Sequence, residues 1–398
     1  MAGPLEGIRI VDITTILLGP YGTQMLGDMG ADVIKVEAPP GGDLARNMGT
    51  VKNVDMGGIY LNANRNKRSL AIDLKTAGGK EALTRLIESA DVLVHNMRPQ
   101  AIARLGFDYD AVAKIKPSII YVGAYGFGQE GPYKHKPAYD DAIQAASGLA
   151  SLFRRQDGAA RYVPSAIADK ICGLMLSQAV TAALVHHGRT GEGQFVEVPM
   201  FETLVSFNLV EHLNGCAYEP PIGTLGYQRV VTPTRRPFET KDGHVCILPY
   251  TDRHWTNFFT GVGRPELMED PRFATYRARI QSVEDLYTFI GETTPSRTTE
   301  EWVAFCEEAQ IPCMPVIDVE DLMEDEHLNA VGMFERHQHP SEGDTIMVRP
   351  PLTFSKTPTS IRSHAPLVGE HSREVLAELG YGEEEVRAMI EVGAVDSV

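Results

Sequence analysis

The first half of the chain alternates short apolar runs with longer stretches of helical periodicity. Residues 75–89, between two such runs, place Leu83, Leu86 and Ile87 on one face, which is the spacing of an amphipathic helix. Continuous apolar runs are typical of strands buried on both faces, and short links between strands and helices give parallel strands. We therefore predict an α/β fold with a large, doubly wound, Rossmann-like domain. The predicted strands are residues 8–13, 31–37, 69–74, 92–96 and 118–126.

The most apolar stretch is residues 162–188, which we predict to form one long helix with Asp169 in its first turns. Residues 171–185 carry no charged side chain, a composition typical of a helix that is buried on most sides. A membrane span needs about 20 such residues. Because this run is shorter and contains Ser177 and Gln178, a buried core helix is the better interpretation.

An acid at the start of a buried helix has two explanations. Carboxylates are favoured near a helix N-terminus by the helix dipole and the free N–H groups, so Asp169 could simply stabilise the helix. Alternatively, Asp169 is a nucleophile that the same dipole holds ionised. Position alone leaves both explanations open.

The second half of the chain predicts a smaller α/β domain. Residues 216–237 are rich in proline and glycine without a clear period, which indicates a linker. We therefore divide the chain into the N-terminal part of the large domain, the linker, the small domain, and a return linker with the C-terminal part of the large domain. The boundaries are residues 1–215, 216–237, 238–325 and 326–398.

Composition and charge narrow the function classes. The 398 residues carry a net charge of −16, which argues against a general nucleic-acid binder because the DNA backbone is itself negatively charged. The five cysteines are widely spaced and lack a CxxC pair, so we expect reduced thiols, a cytoplasmic protein, no zinc site and no disulfide framework. The N-terminal residues lack the basic and apolar regions of a signal peptide.

Several loops concentrate positive charge. Arg65, Lys67 and Arg68 form one group, and Arg98 with Arg104 forms another that follows a predicted strand. Lys134 and Lys136 add a third group. Each group taken singly is typical of solvated surface, but their repetition in an acidic protein also fits a phosphate-binding rim.

Common catalytic and nucleotide-binding motifs do not occur at the positions where they would be functional. There is no GxGxxG after the first strand, so we expect no dinucleotide site and interpret Glu37 as a loop residue. GxSxG, HExxH and the GxxxxGK[ST] phosphate loop are also missing. What remains is Asp169, the neighbouring Tyr139-Asp140-Asp141 segment and the basic loops, a set that points to acyl chemistry without naming a substrate.

Nine segments, in order along almost the whole chain, resemble class III coenzyme A transferases, the group that contains formyl-CoA and carnitine CoA-transferases. They are PLEGIRIVDITTILLGPYGTQMLGDMGADVIKVEAPPGGD, NKRSLAIDLK, VLVHNMRPQAIARLGFDYD, GFGQEGPYKHKPAYD, IADKICG, HHGRTGEGQFVEVPMFE, FETKDGH, GRPELMEDPRF and PLVGEHSREVLAELGY. The resemblance implies a homodimer of two interlocked chains. It also implies that no cofactor or metal is bound permanently and that a coenzyme A thioester is the substrate.

The resemblance places the catalytic aspartate of the family on Asp169. Its carboxylate would attack an acyl-CoA to form an anhydride, and the released thiolate would return to form an aspartyl-CoA thioester. An acceptor acid would then reverse these steps. The expected partners are an acyl-CoA, a small carboxylic acid and a second copy of the chain, with no nucleic acid and no membrane.

Further site residues are implied by position in the matched segments. Leu17 and Ala38 depart from the polar residues of formyl-CoA transferase, and Pro137 replaces a lysine. The implied CoA-binding residues are Leu17, Ala38, Leu74, Asn96, Met97, Arg98, Arg104, Lys134 and Lys136. Tyr139 and Asp140 are assigned to the substrate pocket.

The departures also bear on substrate and subfamily. The loop of residues 223–237 lacks the glycine run of formyl-CoA transferase, which argues against oxalate and formate. Arg229, Arg235 and Arg236 in this loop could hold a second carboxylate, so we expect a dicarboxylic acid and a donor such as succinyl-CoA, although ordinary surface arginines would give the same pattern. The alternatives are a 2-methylacyl-CoA racemase, which would need a histidine at position 139, and a non-catalytic CoA-binding protein.

Overall fold

The computed structural model of the protein describes residues 2–397, which form two compact units. The larger unit contains residues 2–147, 164–205 and 326–397, and the smaller contains residues 148–163 and 206–325. The strands are β1 (Arg9–Ile13), β2 (Asp32–Glu37), β3 (Lys67–Ile72), β4 (Val92–His95), β5 (Ile120–Tyr125), β6 (Gln194–Pro199), β7 (Phe238–Glu239), β8 (His244–Ile247), β9 (Cys313–Pro315), β10 (Phe334–His339), β11 (Gly343–Val348) and β12 (Val395–Asp396).

The α-helices range from one turn to 24 residues in length. They are α1 (Leu18–Asp28), α2 (Gly58–Ala63), α3 (Ala77–Ser89), α4 (Pro99–Leu105), α5 (Tyr109–Ile115), α6 (Asp140–Ala146), α7 (Leu149–Asp157), α8 (Ile167–Thr190), α9 (Met200–His212), α10 (Gln228–Val231), α11 (Asp252–Gly261), α12 (Tyr276–Gln281), α13 (Val283–Thr293), α14 (Thr299–Ala309), α15 (Glu326–Ala330), α16 (Ser372–Glu378) and α17 (Glu383–Glu391). Short 3₁₀-helices lie at Leu44–Asn47, Asn214–Ala217, Pro265–Glu269, Thr294–Ser296 and Val319–Glu324.

The larger unit is built on a seven-stranded sheet with the order β12-β3-β2-β1-β4-β5-β6. The first six strands in sequence run parallel, and β12 pairs antiparallel with β3 through Val395 and Ile72. All six residues of β5 are buried, as expected for a strand covered on both faces. The predicted α/β class with a large, mainly parallel sheet is confirmed.

Helix α8 packs against α1, and two glycines let the helices approach closely. A Cβ atom on Gly22 would lie 2.8 Å from the Gly173 carbonyl oxygen, and a Cβ on Gly173 would lie 2.8 Å from the Leu18 carbonyl oxygen. Side chains at either position would therefore push the helices apart. Helix α8 begins at Ile167, later than predicted, because Pro164 disfavours helical backbone before it.

A smaller part of the surface of α8 is buried than the sequence indicates. The helix is long and apolar enough to cross a membrane by length and composition, and 39% of its most apolar window is buried. Leu174 and Val185 are 53% and 50% exposed, so the prediction of a helix buried on most sides is wrong for the single chain. One face covers the sheet and α1, whereas the opposite face remains uncovered.

Part of the predicted basic rim lies inside the protein instead of at its surface. Lys67 is fully buried and pairs with Asp12 at 3.0 Å, and Arg65 pairs with Asp28 at 2.7 Å. Arg68 donates hydrogen bonds to Asp32 and to two acids of α16. These cations are already neutralised by acids, so this group of the rim was predicted wrongly.

Glu37 was also predicted wrongly as a loop residue. It ends β2, is buried, and accepts two hydrogen bonds from the Arg46 guanidinium at 2.6 and 2.8 Å. Its Oε1 atom also accepts from Ser69 Oγ, which in turn accepts from Gly369 N. The ion pair thus joins the sheet to the C-terminal segment.

The smaller unit has a three-stranded antiparallel sheet in the order β7-β8-β9. Its core is aromatic and contains Phe258, Phe259 and Trp302.

The sequence predicts one helix over residues 138–152, but the structure has two, α6 and α7. Gly148, with φ of +88°, adopts the left-handed conformation that ends one helix and begins the next.

Candidate active site

A pocket of about 220 Å³ opens at the carboxyl ends of β1, β4 and β5. The strand order places β2 on one side of β1 and β4 on the other, so the chain reverses its winding direction between β1 and β4. Open parallel sheets bind ligands at this position. The lining residues are Thr15, Ile16, Leu17, Leu18, Leu44, Asn96, Met97, Arg98, Pro99, Ala124, Tyr125, Gly126, Phe127, Gln129, Lys134, Lys136, Pro137, Ala138, Tyr139, Asp169 and Met200.

Asn96 holds the loop that follows β1. Its side-chain oxygen accepts from Thr15 N at 3.0 Å, and its side-chain nitrogen donates to Thr15 O at 2.9 Å. The side-chain amide of Asn96 therefore bonds both the backbone N–H and the backbone carbonyl of Thr15. This contact fixes the spacing between the loops after β1 and β4, which form opposite sides of the pocket.

A buried ion pair between Lys35 and Asp43 also holds the loop that follows β1. Asp43 accepts from Ile16 N at 2.9 Å, and Lys35 Nζ donates to Thr14 O at 2.9 Å and to Asp43 at 2.8 Å. Ile16 has φ of +73°, a conformation that a β-branched residue adopts only when its surroundings enforce it. The Lys35–Asp43 pair therefore positions a strained turn in the pocket wall.

We expect Asp43→Asn to lower the free energy of unfolding by about 2 kcal/mol, because Lys35 would lose a charged partner in a buried site. Urea denaturation monitored by circular dichroism would measure the change. Asp344→Asn, at an exposed strand position, is the control and should leave stability within about 0.5 kcal/mol of the unmodified protein. Equal stability of the two variants would contradict a supporting role for Asp43.

Asp169 lies in the first turn of α8 and faces the pocket. Its backbone N–H donates to Asp140 Oδ2 at 3.0 Å, and the other oxygen of Asp140 accepts from Gln144 Nε2 at 2.6 Å. Asp140, the first residue of α6, thus caps α8 from a neighbouring helix. The Asp140 carboxylate therefore lies beside the first turn of α8, and the described residues that line the pocket include Asp169 but not Asp140.

Burial raises the pKa of Asp169 to about 7, and the charge of Asp140 adds to the rise. The interpretation of Asp169 as a nucleophile that the helix dipole holds ionised leaves two opposing effects out of account. The dipole favours the carboxylate, but desolvation and a neighbouring anion favour the acid. Asp169 consequently titrates close to neutral pH, a property common in groups that perform chemistry.

The structure brings together many, but not all, of the residues assigned to CoA. Leu17, Asn96, Met97, Arg98, Lys134 and Lys136 line the pocket with Tyr139, which is 72% exposed. Arg104 is exposed in the last turn of α4, outside the pocket. Ala38 and Leu74 follow β2 and β3, and Leu74 packs against the hydrophobic core.

Two glutamates that the sequence did not single out fix the turn before the lysines. Gly128 N donates to Glu202 at 3.0 Å, and Gln129 N donates to Glu197 at 2.9 Å. A Cβ on Gly128 would lie 2.8 Å from Glu202 Oε1, so a side chain at this position would displace the carboxylate. The glycines of the GFGQEG segment could have indicated a tight turn here. Nothing in the sequence indicated that Glu197 and Glu202 would hold it.

Arg229 and Arg235 belong to the smaller unit. Arg229 is half-buried, with its guanidinium carbon 5.1 Å from the ring centre of Tyr250. Arg235 is exposed. The structure therefore distinguishes the two arginines, which the sequence treated alike.

Histidines do not contribute to the pocket wall among the residues that the structure describes. His135, the nearest in sequence to Tyr139, has a ring nitrogen 2.7 Å from the side-chain nitrogen of Gln100. Within residues 2–397 no group of three or more His, Cys, Asp or Glu side chains could hold a metal ion.

A sequence model for CoA-transferase family III matches residues 5–372. The formyl-CoA:oxalate CoA-transferases of Escherichia coli O6:H1 and O139:H28 are both 33% identical to this chain over 413 residues, covering 98% of this chain and 99% of each enzyme. A CAIB/BAIF family protein from Brucella suis has a similar structure, with a TM-score of 0.80 and 30% identity over 95% of this chain and 100% of its own. Rv3272 from Mycobacterium tuberculosis has a TM-score of 0.80 and 28% identity over 94% and 98% of the two chains.

Proposed function

The chain belongs to CoA-transferase family III and is an enzyme that acts on CoA thioesters, and from this premise we propose that Asp169 carries the acyl group and then coenzyme A during transfer. The observation that supports this role most directly is the position of Asp169 in a pocket at the switch point of the sheet. Membership of an enzyme family sets aside the alternative of a non-catalytic binding protein.

The proposed reaction begins when the Asp169 carboxylate attacks the thioester carbonyl of the donor. The carbon–sulfur bond breaks, and an acyl-aspartyl anhydride and a CoA thiolate form. The thiolate then attacks the aspartyl carbonyl, and the donor acid leaves with the bridging oxygen. An acceptor carboxylate attacks the aspartyl thioester, the carbon–sulfur bond breaks, and a second anhydride and the CoA thiolate form. The thiolate finally attacks the acceptor carbonyl, and Asp169 leaves as a carboxylate. Each step exchanges activated acyl groups, so ATP is not required.

The pocket suits both intermediates, which water would otherwise hydrolyse. The same desolvation that raises the pKa of Asp169 to about 7 limits the access of water to an anhydride. Arg98, Lys134 and Lys136 line the pocket and could contact CoA phosphates. We extend the CoA site to Ala38 and Leu74, which follow the carboxyl ends of β2 and β3, and to Arg104 in the last turn of α4.

For the acid we propose a dicarboxylate such as succinate, with succinyl-CoA as a donor. Arg229 and Arg235 supply the cations for a second carboxylate, and Arg229 is the stronger candidate because its guanidinium is half-buried. Formyl-CoA and oxalate, which the names of the E. coli relatives specify, are the competing pair to be tested. The racemase alternative gains no support, because none of the described pocket residues is a histidine.

Heavy oxygen offers a direct test of the proposed covalent steps. If the acceptor acid is labelled with ¹⁸O in its carboxylate, a single turnover should leave one labelled oxygen on Asp169, and repeated turnovers should label both. Mass spectrometry of the peptide that contains Asp169 would measure it, with a panel of donors and acids identifying the substrates. Product formation without label on this peptide would overturn the role of Asp169. Loss of α-deuterium from a 2-methylacyl-CoA without CoA exchange would instead establish a racemase.

We also propose that a second copy of the chain covers the exposed face of α8. This face borders an apolar groove of about 950 Å³ whose lining includes Tyr21, Met25, Leu174, Val185 and Leu352. Apolar surfaces of this extent are typical of interaction sites. All the residues that line the groove belong to the larger unit. We propose that apolar side chains of a partner chain fill it.

We expect Leu174→Glu to prevent dimer formation, because a charged side chain would be buried without a partner in the interface. Light scattering coupled to size-exclusion chromatography should give half the mass of the unmodified protein. Val392→Glu, at another exposed apolar position, should leave the mass unchanged. A dimer of normal mass for Leu174→Glu would show that the interface lies elsewhere.

A further inference from the structure

The smaller unit contains a second, compact cavity of about 30 Å³. Two arginines, Arg229 and Arg279, face it together with three tyrosines, Tyr250, Tyr276 and Tyr287. Trp255 and apolar residues including Val283 and Leu286 complete its wall. The combination of fixed cations, hydroxyl groups and an apolar side is typical of a site for a small organic anion.

Arg279 has a hydrogen-bonding requirement that the protein leaves unmet. Its side chain is 3% exposed, its Nη1 atom donates to Phe273 O at 2.6 Å, and its Nη2 atom pairs with Asp252. Within residues 2–397 its Nε atom has no partner. A buried N–H of a charged group is costly without an acceptor, so this atom calls for one, and Arg279 lines the cavity.

Arg229 supplies the second cation. Its guanidinium carbon lies 5.1 Å from the ring centre of Tyr250, and the hydroxyl groups of Tyr287 and Tyr227 are close by. In the described part of the chain no carboxylate forms an ion pair with it. Asp252 is the one acid that pairs with either arginine, and its side chain is 75% exposed. The cavity therefore keeps a net positive charge.

The size of the cavity indicates the ligand group. A water-sized oxygen needs about 10–15 Å³ by this measure, so the cavity has room for two oxygens, as in a carboxylate. The hydroxyl groups of Tyr250 and Tyr276 are 3.4 Å apart and can rotate to donate to the same anion.

We propose that this cavity binds the carboxylate group of a small organic acid, with the guanidinium groups of Arg229 and Arg279 as donors. Binding itself is independent of catalysis. Its role in the reaction, to select dicarboxylic over monocarboxylic acyl groups, rests on the proposed function.

Tryptophan fluorescence of the full-length protein can detect filling of this cavity. The chain has two tryptophans, and Trp255 lines the cavity. Succinate should change the emission saturably at constant ionic strength, whereas butane-1,4-diol, which has the same chain length without charge, should not. Arg229→Gln should weaken succinate binding at least about tenfold and Arg229→Lys less, because lysine keeps the charge but loses the planar fork. Arg277→Gln, at an exposed position in the same helix as Arg279, should bind normally.

The outcomes separate the site from the reaction. An Asp169→Asn protein should keep the fluorescence response even if transfer is lost. The proposed site would be overturned if the diol gave the same response, or if Arg229→Gln bound succinate as tightly as Arg277→Gln. If binding is as expected but the preference for succinyl-CoA over butyryl-CoA is the same in Arg229→Gln and Arg277→Gln, the site stands and its role in substrate selection fails.

Discussion

Replacement of Asp169 by asparagine is expected to lower kcat/KM for CoA transfer on the order of 10⁴-fold or more, because the reaction then lacks the carboxylate on which both covalent intermediates form. The amide is nearly the same size as the carboxylate, so the shape of the pocket should be kept. Mass-spectrometric measurement of CoA exchange between a donor thioester and a free acid would provide the rate.

A stability measurement serves as the control for this variant. The pKa of Asp169 is raised in the folded protein to about 7, so ionisation of this group costs stability progressively as the pH rises from about 4 to 7. Above that window the cost is complete. Asp169→Asn removes it and should therefore be at least as stable as the unmodified protein at pH 8. An active Asp169→Asn enzyme would contradict the proposed mechanism, and a less stable one would contradict the raised pKa.

The second prediction concerns Asp140. Asp140→Ala should lower kcat/KM on the order of 100-fold, because the first turn of α8 loses its cap and Asp169 loses its fixed orientation. The backbone N–H of Asp169, now 3.0 Å from the Asp140 carboxylate, would be left without this acceptor. Steady-state kinetics at pH 8 would measure the loss.

Asp140→Asn isolates the effect of charge, since the amide oxygen can still accept from Asp169 N. The reactive form of Asp169 is the carboxylate, so kcat/KM should rise with pH through the pKa of about 7 in the unmodified enzyme. Without the negative charge of Asp140, the rising limb of this pH profile should move to lower pH. Burial would still keep the pKa of Asp169 above its usual range. Asp141→Asn, at the next position, which is exposed, is the matched control and should leave the limb in place. A limb that did not move in Asp140→Asn would show that Asp140 does not act through its charge.

Local patterns were sufficient to predict most of the elements. The strands β1, β2, β4 and β5 lie within the predicted runs, and β3 overlaps its predicted run. Strand and helix periodicities are short-range properties, so they can be read from neighbouring residues. The same holds for Asp169, which stands out because a single acid precedes a long uncharged segment.

Charged side chains were less predictable, since their partners are distant in sequence. Lys67 is 55 residues from Asp12, and Arg46 is 320 residues from Pro366, whose carbonyl oxygen accepts one of its hydrogen bonds. The composition of a basic loop does not show whether its cations form internal ion pairs or bind phosphate. The folded sheet decides this, because it buries Lys67 beside Asp12 and leaves Lys134 and Lys136 at the pocket.

By itself, the sequence determined the α/β order of elements, the family and the acid at the head of the long helix, because these depend on local periodicity and on motifs that are continuous in the chain. Only the tertiary structure decided that Asp140 lies against Asp169 and that burial raises the pKa of Asp169. It also decided that Arg229 and Arg279 share a cavity. Desolvation and charge pairing depend on distances through space, and these exist only after the chain has folded.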